Sequence, residues 1–93
     1  IMADKLQQTV TIVNQLGLHA RAATKLVQLC RQFDAKIELQ QEGQTADASS
    51  VLALLMLASS KGKTLEVCTE GTQAQEALNA VVALIENGFD EEN

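Results

Sequence analysis

The chain contains a single histidine, His19, and it stands in the run Gly17-Leu18-His19-Ala20-Arg21. An imidazole nitrogen is a competent nucleophile near neutral pH. From Ala20 the apolar residues recur at helical spacing through Ala23, Leu26, Leu29, Cys30 and Phe33, so a helix is expected to begin directly after His19. The ring then lies near the N-cap, pointing toward a first turn whose N–H groups lack intrahelical partners and whose dipole end is positive. Such a terminus favours an anion. Arg21 adds a permanent cation with forked, planar donors suited to phosphate oxygens, and Gly17 supplies the backbone freedom for a tight approach to the helix. A phosphoryl group attached to the ring would sit among donors already in place. The same residues also have an ordinary reading, a polar loop histidine beside a solvated arginine, and spacing alone leaves both open.

Other chemistries find little support. One histidine without a CxxC pair makes no credible zinc site, and no GxxxxGK run exists to cradle a nucleotide, so neither metal nor cofactor is expected. Cys30 and Cys68 are far apart and each sits in an apolar pattern, which favours two reduced, buried thiols over a disulfide.

Several elements must position His19. Alternation from Gln8 to Asn14, with Val10 and Ile12 on one face, predicts a first strand, and Ala35 to Gln41 alternates around Ile37 and Leu39 as a second. Glu42-Gly43 reads as a hairpin turn into a short strand, Gln44 to Asp47. Ser49 or Ser50 can cap a second helix running through Ala58, and Ser59-Ser60-Lys61-Gly62-Lys63 is a polar loop. Thr64 to Thr69 alternates around Leu65 and Val67 as a fourth strand. Gln73 to Asn87 gives a last helix with Ala77, Leu78, Val81, Leu84 and Ile85 inward, and the acidic Asp90-Glu91-Glu92 is expected to be solvated and frayed. The order βαββαβα has too few strands for a doubly wound sheet. It implies an α+β open-faced β-sandwich, a four-stranded antiparallel sheet with three helices on one face.

With 93 residues the chain has length for one domain and one core. Hydrophobic residues are 46% and aromatics 2%, so the core is built from aliphatic side chains, with Phe33 and Phe89 as the large rings. Seven basic residues against twelve acidic ones give a net charge of −5, which disfavours nucleic acid. The longest apolar run, Val51 to Ala58, is too short to cross a bilayer. Ile1 precedes a plausible initiator, Met2, and Met2-Ala3-Asp4-Lys5 lacks the apolar region of a signal peptide. A cytoplasmic monomer is the resulting expectation.

Gly17-Leu18-His19-Ala20-Arg21 resembles the active-site motif of the histidine-containing phosphocarrier (HPr) family, and Ser50-Val51-Leu52 resembles that family's second signature. The similarity runs from about residue 8 to residue 89. The stretch Val51-Leu52-Ala53-Leu54-Leu55-Met56-Leu57, with Ser60-Lys61-Gly62 and Gly88-Phe89-Asp90-Glu91, is most similar to the nitrogen-related (NPr) branch. The resemblance implies a carrier, not an enzyme with free turnover. An enzyme I charged from phosphoenolpyruvate would pass a phosphoryl group to Nδ1 of His19, and an enzyme IIA of the same branch would take it. Arg21 and the backbone of Ala20 and Arg21 would hold the phosphate.

In one respect the chain departs from the family. Members commonly carry Pro after the motif arginine, where this chain has Ala22, which relaxes a restraint on Arg21 and restores a backbone N–H. Ser50 matches a serine phosphorylated in some branches, mostly of Gram-positive bacteria, but a helix cap explains it without any further role. Val51, Leu52 and Leu55, rimmed by Ala20, Thr24 and Arg31, are expected to form an apolar patch that docks partners, with Leu54 and Leu57 in the core. Two rivals remain: a docking domain of this fold that has lost phosphotransfer, and a small phosphatase-like enzyme, for which no second catalytic group is found.

Overall fold

The computed structural model describes residues 5–91, so the start Met2-Ala3-Asp4 and the tail residue Glu92 lie outside the described residues. The element order is β1 (Lys5–Thr11), α1 (Ala20–Cys30), β2 (Lys36–Gln41), β3 (Gln44–Asp47), α2 (Val51–Met56), β4 (Thr64–Glu70) and α3 (Ala74–Glu86), followed by a 3-10 turn at Gly88–Asp90. The four strands form one antiparallel sheet in the order β1-β4-β2-β3.

Period-two alternation decides which face of the sheet is covered. Ile37, Leu39 and Gln41 of β2 and Leu65, Val67 and Thr69 of β4 are buried, whereas Glu38, Gln40 and Glu66 between them are partly open to water. The three helices lie on the apolar face. α3 packs against β1, β4 and β2, and α1 packs against both other helices. In α1 the buried stripe is Ala22, Ala23, Leu26, Val27 and Cys30; Leu29 and Phe33, expected inward, are only half-buried. In α3 the stripe is Ala74, Ala77, Leu78, Val81, Val82 and Ile85, so Val82 takes the buried place expected of Leu84. Leu54 and Leu57 are core, as their pattern implied.

Element ends show where tertiary contacts override local pattern. The first strand starts at Lys5, three residues before Gln8, because β4 pairs with this polar segment from Lys5↔Glu70 onward. It also ends earlier, at Thr11. Ile12 is buried and gives its N–H to the Lys63 carbonyl at 2.9 Å, while Asn14 turns inward to a different task. The second helix stops at Met56, short of Ala58, because Ala58 adopts φ +54° and cannot continue a right-handed helix. Cys30 and Cys68 are free and buried, but Cys30 belongs to the core whereas Cys68, paired across the sheet with Gln7 and Glu38, lies on the uncovered face. Among the described residues no helix is long and apolar enough to cross a membrane.

Candidate functional site

The site is built from the turn between β1 and α1. Gly17 closes it by giving its N–H to the Asn14 carbonyl at 3.2 Å, at φ +64°. A Cβ at this position would lie 2.5 Å from the Ser59 carbonyl oxygen and 2.8 Å from the Ser60 Cα, both backbone atoms, so only glycine fits. Leu18 then donates to the Ser59 carbonyl at 2.9 Å and buries its side chain. With the preceding residues clamped to the loop after α2, the chain delivers His19 to the start of α1 in a fixed orientation.

His19 is the N-cap residue, with extended backbone (φ −86°, ψ −179°), and its carbonyl accepts the Ala23 N–H at 2.8 Å. The N–H groups of Ala20, Arg21 and Ala22 precede the first intrahelical bond and point out of the positive end of the helix. The ring makes no cap hydrogen bond with them. Instead its Nε2 meets the Glu91 carboxylate, and among the described residues Nδ1 has no hydrogen-bond partner. The ring is partly open to water, its side chain 22% exposed. Arg21 is exposed beside it.

Two residues of this arrangement were not anticipated. Glu91 was expected to be solvated and frayed with its neighbours; Asp90 is exposed, but Glu91 is held in place. The reason lies in Phe89, which is fully buried and pins the segment to the core, while Lys25 donates to the Phe89 carbonyl at 2.8 Å. Asn14 is the second. Its buried Nδ2 donates to the Gly17 carbonyl at 2.8 Å and to Glu91 Oε1 at 3.0 Å, tying the turn to the chain end. Burial pushes the Glu91 carboxyl up, but the bonds from His19 and Asn14 and the nearby charges of His19 and Arg21 outweigh it and hold the group below its ordinary value. A lone large aromatic just after a helix was the one sequence signal that this tail is anchored. Nothing in the sequence paired Glu91 with His19.

Among the described residues, the chemistry available is a positioned imidazole with one free nitrogen, set beside unpartnered amides and an exposed guanidinium. Comparison with known proteins decides the family. The family model described as "PTS HPr component phosphorylation site" matches residues 6–87. The chain belongs to the HPr family of phosphocarriers. Phosphocarrier protein NPr of Escherichia coli (strain K12) is 53% identical over 88 residues, covering 94% of this chain and 98% of that one. Phosphocarrier protein HPr of Cupriavidus necator is 44% identical over 86 residues, covering 92% and 97%. Among solved structures, HPr-C-His from Thermoanaerobacter tengcongensis superposes with a TM-score of 0.89 at 34% identity, covering 95% of this chain and 99% of that chain. The open-faced sandwich is thus the HPr fold.

The remaining predicted residues fall as follows on this HPr fold. Ala20, Thr24 and Arg31 are exposed along α1; Leu52 is exposed, and Val51 and Leu55 are half-buried on α2, which packs beside α1. Leu16 and Met56 add to the exposed apolar surface. Ser50 caps α2, its Oγ accepting the Ala53 N–H at 3.1 Å. Ala22 is fully buried at the start of α1.

Proposed function

We propose that this phosphocarrier accepts a phosphoryl group on Nδ1 of His19 from an enzyme I of the nitrogen-related phosphotransferase branch and passes it to an enzyme IIA of that branch. The observation that carries this reading is the position of His19: at the N-cap of α1, partly open to water, with Nδ1 unengaged among the described residues. In the first transfer the Nδ1 lone pair forms the new N–P bond in line as the donor's P–N bond breaks, its electron pair returning to the donor histidine; in the second, the acceptor on enzyme IIA forms the new bond to phosphorus as the Nδ1–P bond breaks and its electron pair returns to Nδ1. The transition state is loose and spreads charge over three oxygens, so positioning and electrostatics do most of the work. The amides of Ala20 and Arg21 and the Arg21 guanidinium are the groups on this chain that meet those oxygens. The assignment to the nitrogen branch is supported by the 53% identity to a protein named NPr.

Partners on this reading bind transiently over Ala20, Thr24, Arg31, Val51, Leu52 and Leu55, where α1 and α2 present apolar surface with a polar rim. Ser50 acts as a helix cap, its Oγ accepting the Ala53 N–H. Incubation with phosphoenolpyruvate and a nitrogen-branch enzyme I should give an acid-labile mass gain of one phosphoryl group, absent in His19→Ala. A gain that survives in the mutant removes His19 from the mechanism.

A further inference from the structure

We infer that Glu91 is a positioning residue for phosphotransfer, holding the His19 ring by Nε2 so that Nδ1 is presented as the nucleophile. This rests on the carrier reading and adds to it a residue outside the histidine motif. The geometry is specific. Glu91 Oε2 meets Nε2 while Oε1 accepts from the buried Asn14 Nδ2 at 3.0 Å, so both carboxylate oxygens are committed and the group cannot rotate freely. Asn14 is itself fixed by its 2.8 Å bond to the Gly17 carbonyl, two residues before His19. Behind Glu91, Phe89 is fully buried and its carbonyl takes the Lys25 ammonium at 2.8 Å. The chain end is therefore a strut built back to the turn that carries the histidine.

A carboxylate accepts only from a protonated nitrogen, so the contact selects the tautomer with hydrogen on Nε2 and the lone pair on Nδ1. During transfer the Nδ1–P bond forms while the donor's P–N bond breaks with its electron pair, and the Nε2 proton stays on the ring. The ring thereby gains positive charge, which faces the Glu91 carboxylate. The depressed carboxyl of Glu91 is consistent with a group that stays ionised throughout. On removal of the phosphoryl group the same carboxylate restores the starting tautomer.

The test compares the full chain with Glu91→Ala and Glu91→Gln, reading the ring nitrogen-15 shifts of neutral His19 and the single-turnover rate of phosphoryl uptake from phosphorylated enzyme I. The native ring should show one tautomer, protonated at Nε2. Glu91→Ala should show a mixture and take up phosphoryl groups about tenfold more slowly, the scale on which loss of an orienting partner to a histidine acts. Glu91→Gln has one acceptor oxygen for the two donors that face Glu91, so it should hold the native tautomer only in part and fall between the two in rate. Equal tautomer populations and equal rates for native and Glu91→Ala, with uptake intact in both, would overturn the role of Glu91 alone. Absence of uptake by the native chain would overturn the carrier reading and this assignment with it.

Discussion

Two helices of this protein start in opposite ways. Both N-caps, His19 and Ser50, have extended backbone, and both lead into helices that pack side by side. Ser50 turns its hydroxyl back to accept the Ala53 N–H, so α2 satisfies one of its own orphan donors. His19 turns its ring away to Glu91 and leaves the amides of α1 to whatever arrives. One terminus is finished as a piece of structure. The other has no side-chain cap, which leaves its first amides open to water or to an anion.

The largest expected effect comes from the turn that enforces this difference. Gly17→Ala puts a methyl against two backbone atoms at a positive φ, and should cost about 3 kcal/mol in denaturant unfolding. A cost below about 1 kcal/mol would mean that the clamp to Ser59 does not fix His19. Next in size is the contrast of the caps themselves. Ser50→Ala should lose about 1 kcal/mol, and His19→Ala clearly less, since His19 contributes no cap bond. Equal losses would erase the distinction between the two termini. Smallest is the pH response of the chain end. Because the Glu91 carboxyl is held below its ordinary value of 4.5, its contact contributes stability above that pH and loses it as the pH falls through the lower folded value. In His19→Ala the carboxyl should titrate closer to 4.5 by carbon-13 NMR; an unmoved titration would show that the ring is not what holds it.

Much of the fold was legible because its signals are local. The helix after His19 follows from the apolar spacing of Ala23, Leu26 and Cys30, and the hairpin at Glu42-Gly43 from a glycine between two alternating runs. The first strand was misplaced because Lys5 to Thr9 is nearly all polar apart from Leu6, and its place in the sheet is set by β4, more than fifty residues away. The site divides along the same line. Gly17, His19 and Arg21 are neighbours in sequence and could be read together, whereas the Glu91 contact spans 72 residues and depends on Phe89 finding the core. Acidic residues near a chain end usually stay solvated, and no local pattern distinguishes the one that does not.

The burial of Cys68 on the uncovered side of the sheet has a practical consequence. Its thiol is held up by burial first and then by the charges of Glu66 and Glu38, and its cross-strand neighbour Gln7 sits on β1, an edge strand hydrogen-bonded to β4 alone. Alkylation of Cys68 should therefore outpace that of Cys30, which lies in the core with its thiol pushed up to about 12 and waits on a wider opening of the molecule. The two thiols thus report on different depths of the fold.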